Sequence, residues 1–392
     1  MDSLYIAWRY IIYNKVKTIT LVTCITLFAV LPLSLQLLLE ESEQQLLSRA
    51  TSTPLVVGAK GSALDLVMNS LYFGNEIPEL ITMEATTEIE QQGLAFPIPV
   101  YVRFKARGFP IVGTTIDYFD FRGLNISQGR LPGILGECVL GASVAERLGL
   151  GVGDSVISSP ENLFDLAGIY PLKMKVAGVL QRSHSPDDLA VFVDLKTTWI
   201  IEGLGHGHMD VTRTTDSSVI LERDDKTVRA NAKLEHFTEI TTDNLDSFHF
   251  HGDDFAYPLT AVLVDPNDAK SSAILQGRFL SKEKNIQIVT PGKIIAGLLE
   301  NIFRIKNVLD AIIIMVGIAT LLAIILVFAL SLRLRQREIS TVFKLGGSRS
   351  TIVRLVSAEI LIILLISLLV CTAVMLLVQA NSTDLVRTLF IR

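Results

Sequence analysis

A chain of 392 residues with 49% hydrophobic residues, 19% charged residues and a mean hydropathy of +0.45 is too apolar for an ordinary soluble protein, so the apolar character is concentrated in segments. The formal net charge of −5 mixes an acidic part of the chain with basic segments and says little; no basic stripe interleaved with aromatics suggests nucleic acid as a partner. Of three cysteines, Cys24 and Cys371 fall in apolar runs and only Cys138 lies outside them. That excludes a disulfide within the polar part of the chain and argues against a thiolate metal site.

Residues 1–17 carry Leu4, Ile6, Ala7, Trp8, Ile11 and Ile12 at helical spacing ahead of a basic end. They predict either an amphipathic helix on the inner membrane face or an extension of the first apolar run. That run, Ile19–Leu39, is too long for a signal-peptide core and precedes no small-residue cleavage site, so it reads as a retained anchor over 18–39. Pro32 within it favours a kink.

Residues 40–306 have ordinary globular composition and are long enough for a core. PVYVRF, MKVAGVL and AVFVDL read as strands, and Ala142–Leu150 as a short helix closed by Gly149 and Gly151. DPNDAKSSAILQGRFL reads as a turn feeding a helix near Asn267 or Asp268. A helix from about Pro291 is expected to run unbroken into a second span over 307–332. A basic segment over 333–354, a third span over 355–378 and a tail over 379–392 complete the chain.

Arginine and lysine set orientation. The N-terminal segment is basic. Arg333, Arg335, Arg337, Lys344, Arg349 and Arg354 face a single acid, Glu338, between spans two and three. Both segments are therefore expected inside and the large α/β domain outside. Glu359, near the inner end of the third run, either faces the bundle or snorkels to the surface, and the interface is the expectation.

Three stretches carry a resemblance. RLRQREISTVFKLGGSRSTIVRLVSAE (333–359) places an arginine–glutamate pair before a short helix, a glycine and a basic residue. IVGTTIDYFDFRGLNISQGRLP with CVLGASVAERLGLGVGDSVI, and VVGAKGSALDLVMNSLYF (56–73), lie in the outer domain. Together, in this order around one large insertion, they resemble the FtsX/MacB-like permeases, the membrane subunits of a class of bacterial ABC transporters. The resemblance implies an α-helical membrane protein with three transmembrane helices and a large α/β (α+β) MacB-like periplasmic domain, in the bacterial inner membrane.

It also implies no catalysis by this chain, a second permease copy, and a cytoplasmic ABC ATPase that binds ATP and Mg2+. In keeping with this, the sequence has no G-x-x-x-x-G-K-[ST] phosphate loop. On the same resemblance, Arg337, Glu338, Ser340, Val342, Phe343, Lys344, Leu345 and Gly346 are expected to form the ATPase-coupling segment. Family members usually have four spans. Here 14 residues come after the third run, so the chain is either a three-span variant or incomplete.

All six histidines lie between residues 184 and 251, none in the spans or basic segments. GLGHGHMD supplies His206 and His208; FHFHGDD supplies His249 and His251 with Asp253 and Asp254. Residues i and i+2 on an extended segment point the same way, so two H-x-H pairs with nearby carboxylates suit Zn2+ or a similar divalent ion. The other reading is a polar surface. His184 and His236 read as surface residues, and the paired acids of SPDD and GDD as solvated turn residues. No H-E-x-x-H is present, which disfavours a zinc protease.

The histidine bias also resembles permeases of zinc-regulated uptake systems, which work beside a periplasmic carrier. Metal handling is thus the first expectation for the outer domain. Export or extraction of a lipoprotein, peptide or haem, and regulation of a periplasmic enzyme by mechanotransmission, stand as alternatives.

Overall fold

The computed structural model describes residues 2–381 except 160–170, 208–219, 225–226, 231–237, 280–284, 335, 337–339, 342–343 and 345–347. The chain divides into two compact units, residues 46–296 and the two flanking stretches 1–45 and 297–392.

The flanking unit is helical. Its elements include helix Asp2–Tyr13 and most of the long helices Lys15–Thr51, Pro291–Leu334 and Arg349–Ala380. Asn14 separates the first two, and the second continues past Pro32. Among the described residues, three helical segments are long and apolar enough to cross a membrane: Lys15–Thr51, Asp310–Leu330 and Ser350–Ala380. Their outward residues, among them Leu27, Leu31, Met315, Leu326, Leu365 and Leu369, are exposed. Surfaces of that kind need hydrocarbon for solvent.

Helix Asp2–Tyr13 packs on Arg349–Ala380, with Ile11, Leu21 and Ile363 buried together against Val22, Ile25, Ile324 and Phe328. Glu359 turns towards the neighbouring helices at the inner end of its own helix. It is 4% exposed and accepts a 2.7 Å hydrogen bond from Lys17 Nζ. Lys17 also lies 5.2 Å from the Tyr10 ring centroid and 5.6 Å from that of Phe328. A carboxylate with a cation this close within the bundle gains more by turning inward than by reaching for the surface.

The unit 46–296 is built on a ten-stranded mixed sheet. From one edge its strands are Ile286–Val289, Leu55–Ala59, Ala261–Pro266, Ala95–Ala106, Phe109–Thr114, Val191–Asp194, Glu137–Leu140, Lys173–Leu180 and Ile126–Gly129, with Ser155–Ile157 also pairing Lys173–Leu180. Two neighbouring pairs are parallel, Phe109–Thr114 with Val191–Asp194 and Glu137–Leu140 with Lys173–Leu180; the rest are antiparallel. The central strands are apolar and β-branched along their length, and Leu55–Ala59 is buried at every position. That pattern belongs to strands covered on both faces.

Helices Ala63–Tyr72, Glu84–Gln91 and Leu195–Glu202 pack on the central strands. One approach is very close: a Cβ at Gly113 would stand 2.5 Å from Thr198 Cγ2. Helix Ala142–Leu148 ends on Gly149, whose φ of 63° is the left-handed conformation that glycine adopts without a Cβ clash. Helix Ala269–Phe279 begins just after Asp268, which accepts from the Ser271 backbone N–H at 2.6 Å.

Candidate functional site

The two H-x-H segments meet in a small antiparallel ribbon. Strand Gly205–Gly207 pairs with Phe248–Phe250 in the register Gly205 to Phe250, His206 to His249 and Gly207 to Phe248. Cross-strand partners share a face, and faces alternate along a strand. His206 and His249 therefore project from one side, with His251 two residues further on the same side. Phe248 and Phe250 project from the other and pack against the core.

The glycines make room for this arrangement. A Cβ at Gly205 would lie 2.7 Å from the Phe250 ring, and one at Gly207 2.6 Å from the Phe248 ring. With no side chain there, the two rings lie against the backbone of the opposite strand. Beneath them, Phe250 meets Tyr257 edge-on at 6.0 Å between centroids, and Tyr257 stacks on Trp199 at 4.6 Å. Trp199 Nε1 donates to the Pro258 carbonyl at 2.9 Å. The ribbon is tied down at its edge as well: the His251 backbone N–H donates to the Leu204 carbonyl at 3.2 Å, and Tyr257 Oη donates to the His251 carbonyl at 3.2 Å.

On the outer side the three imidazoles form a nearly equilateral triangle. Ring centroids are 4.8 Å apart for His206 and His249, 4.9 Å for His206 and His251, and 4.8 Å for His249 and His251. One ring nitrogen from each lies within 4.8 Å of the others. His206 and His249 are half-buried and His251 is exposed. His249 Nδ1 stands 3.1 Å from the Ser247 carbonyl oxygen. A carbonyl only accepts, so Nδ1 carries the proton and the acceptor lone pair of the neutral ring is on Nε2.

Of the other residues expected at this site, Asp253 caps the turn at Asp254–Ala256 by accepting from the Phe255 N–H at 3.2 Å. Neither Asp253 nor Asp254 joins the histidine group. His208 and His236 lie outside the described residues. His184 takes a φ of 55° in an exposed turn, and its backbone N–H donates to Asp188 Oδ2 at 2.9 Å. In the expected coupling segment, Ser340 and Lys344 are helical and exposed; Arg337, Glu338, Val342, Phe343, Leu345 and Gly346 lie outside the described residues.

The acids of SPDD are not solvated turn residues. Asp187 and Asp188 are each 1% exposed. Asp188 accepts from the backbone N–H groups of Ser183 and His184 and from the Ser183 hydroxyl. Asp187 faces Arg49, in the last turn of helix Lys15–Thr51, with Nη1 to Oδ2 at 2.5 Å and Nη2 to Oδ1 at 3.0 Å. Tyr118 Oη donates to Asp187 Oδ1 at 2.7 Å and accepts from Arg49 Nη2 at 2.9 Å. Arg49 Nε donates to the Leu71 carbonyl.

Burial alone would raise the Asp187 carboxyl. The Arg49 charge and hydrogen bonds, joined by the charge of Arg122 and the Tyr118 hydroxyl, outweigh it and hold the carboxyl down at about 2. Burial likewise pushes the Tyr118 hydroxyl up, to about 12. No local pattern in the sequence announces this cluster, whose members come from separate segments far apart along the chain. It fastens the end of the first long helix into the domain core.

The family model for the MacB-like periplasmic core domain matches residues 42–237, half of the chain. No curated protein matches the sequence. Among solved structures, the chain is similar to the periplasmic region of MacB from Actinobacillus actinomycetemcomitans, at 13% identity over 64% of this chain and 94% of that one, with a TM-score of 0.34. It is also similar to the extracellular domain of the noncanonic ABC-type transporter YknZ from Gram-positive bacteria, at 14% identity over 60% and 98%, with a TM-score of 0.33. A domain of a permease-like protein from Porphyromonas gingivalis is similar at 12% identity over 60% and 86%, with a TM-score of 0.28. The assignment rests on the family model, which spans the buried Arg49–Asp187 clamp and most of the sheet: the chain belongs to the FtsX/MacB-like permeases of ABC transporters, with their MacB-like periplasmic core domain.

Proposed function

We propose that this chain is the membrane subunit of an ABC transporter, driven by a separate cytoplasmic ATPase and working beside a second permease copy. The observation that carries the reading is the family match over 42–237 in a chain that also has three helices apolar enough to cross a bilayer. Basic residues at the N-terminus and between spans two and three favour an inner location for those segments, and the periplasm for the domain, by the positive-inside rule. With no phosphate loop in the sequence, the energy of ATP enters through a partner. Residues 337–346 are the contact through which ATPase closure acts on the spans.

The test is reconstitution of the full chain in lipid nanodiscs with its cognate ABC ATPase subunit. The chain is expected to bind the ATPase and change its rate of ATP hydrolysis, and Glu338→Lys with Phe343→Ala is expected to abolish both effects. Full association and parent-like stimulation of hydrolysis by the double variant would remove the coupling role from this segment. No association of the parent chain would overturn the reading.

A further inference from the structure

We infer that His206, His249 and His251 form a binding site for a borderline divalent transition metal, Zn2+ foremost, with a fourth coordination position open to an outside ligand. This site lies on the domain surface and does not depend on coupling to an ATPase.

Three independent features support it. First, the register of the ribbon places His206 directly opposite His249, and the two-residue period brings His251 onto the same face. A shift of the register by one residue would put His206 on the opposite face from the other two. Second, the triangle is almost regular, with centroid separations of 4.8, 4.9 and 4.8 Å, and its candidate ligand atoms lie within 4.8 Å. Ligands of a tetrahedral zinc ion at its usual bond lengths stand about 3.3 Å apart, so side-chain rotations of roughly an ångström close the set. Third, the Ser247 carbonyl holds His249 in the tautomer whose acceptor nitrogen is Nε2. A carbonyl that fixes the ring in this way is the usual outer support of a metal-bound imidazole.

The chemistry of the set selects the ion. Neutral imidazoles without thiolate suit zinc, copper or nickel and give Mg2+ or Ca2+ nothing they prefer. The support beneath is stiff: Phe248 and Phe250 reach the core past Gly207 and Gly205, and the Phe250–Tyr257–Trp199 stack carries the ribbon. Among the described residues no fourth donor joins the three histidines, and His251 is exposed. Three protein ligands with a solvent-facing position belong to sites that exchange a ligand, whereas structural zinc is closed by a fourth protein donor. The site therefore suits taking up and passing on a metal, or holding a metal-bound partner.

The experiment uses the full chain in detergent, freed of metal, titrated with Zn2+ against a chromogenic chelator. The comparison chains are His206→Ala with His249→Ala and His251→Ala, His251→Ala alone, and His184→Ala as a control. His251 ties the ribbon through its backbone N–H and carbonyl, so the single variant keeps its fold, and thermal melting verifies this. One Zn2+ per chain is expected for the parent and the control. A loss of affinity of roughly tenfold or more is expected for His251→Ala, and a larger loss for the triple variant. With Co2+ as probe, the parent shows the intense visible bands of a tetrahedral site, and added azide shifts them. Equal Zn2+ affinity in the parent and the folded His251→Ala chain would overturn the three-histidine site, and Co2+ bands indifferent to azide would overturn the open position.

Discussion

Arg49 and Asp187, 138 residues apart, meet as a two-pronged ion pair with side chains 7% and 1% exposed. Both charges are out of water, so their attraction and hydrogen bonds offset a desolvation cost, and the arrangement tolerates the loss of neither partner alone. Asp187→Leu or Arg49→Met should each destabilise the domain by about 3–5 kcal/mol. The joint change Arg49→Met with Asp187→Leu should recover most of the loss. Denaturant unfolding of the parent, Arg49→Met, Asp187→Leu and doubly substituted chains, all with Trp8→Phe so that Trp199 alone reports, measures it; a joint loss equal to the sum of the single losses would mean that the pair is not coupled.

The same carboxyl gives the domain an acid dependence. Its folded value of about 2 lies below the ordinary carboxylate value of 3.8 that it takes when the chain unfolds. Folding therefore favours the ionised form. The stabilising contribution is fully present above about pH 4 and is lost as pH falls through the folded value near 2, where both states are protonated. The parent's unfolding midpoint should drop across that window, and the Asp187→Asn chain should show a shallower drop. Tyr118→Phe, which removes one hydrogen bond to the carboxylate, should move the parent's drop to higher pH.

Much of this fold is legible in the sequence where a pattern is local. The apolar strands at 95–106, 173–180 and 191–194 announce themselves by β-branched runs, and Gly149 marks the end of its helix. The spacing that brings His249 and His251 onto one face is legible for the same reason, a period of two, and His206 joins them across the ribbon. Register is what the sequence does not carry. Nothing local says that His206 faces His249, or that Asp253 is used up in capping a turn. The acids of SPDD read as a solvated turn because the arginine that pairs with Asp187 arrives from a helix far away in the chain's numbering. Nor does anything near Glu359 announce its contact with Lys17, which stands 342 positions earlier.

Gly207 is predicted to be intolerant of a side chain. A Cβ there would stand 2.6 Å from the Phe248 ring, well inside contact distance, so the ring must move out of the core packing it completes. Overpacking of this kind costs about 1–3 kcal/mol. Gly207→Ala should lower the melting temperature and weaken Zn2+ binding together, whereas Gly61→Ala, where the Cβ meets nothing, should leave both unchanged. Loss of binding without loss of stability would assign Gly207 a role other than packing.

Cys138 lies on a strand of the sheet and is fully buried. Burial, helped by the charge of Glu137, pushes its thiol up to about 12. The reactive thiolate is therefore scarce and inaccessible at neutral pH. In a chain with Cys24→Ala and Cys371→Ala, maleimide at pH 7 should label Cys138 only after denaturation. Rapid labelling of the native chain would show that this part of the sheet opens readily.

Lys17 and Glu359 are predicted to be coupled within the helical unit. Lys17 precedes the apolar stretch of its helix, and Glu359 sits 2.7 Å away on helix Arg349–Ala380, so the pair holds the first and third spans in register. Phe328, from the second, lies against the same ammonium. Lys17→Met removes a 2.7 Å charged contact from a carboxylate that is 4% exposed, and Glu359→Met removes it from an ammonium that lies among rings. Each single change should lower the thermal midpoint of the full chain in detergent. The double change should lower it less than the sum, with a coupling of about 0.5–3 kcal/mol. Because the rings of Tyr10 and Phe328 lie beside the ammonium, the doubly substituted chain can even match the parent, as replaced buried pairs often do. Strictly additive losses would mean that the two charges act separately, and that apolar packing around Ile11, Leu21 and Ile363 alone aligns these helices.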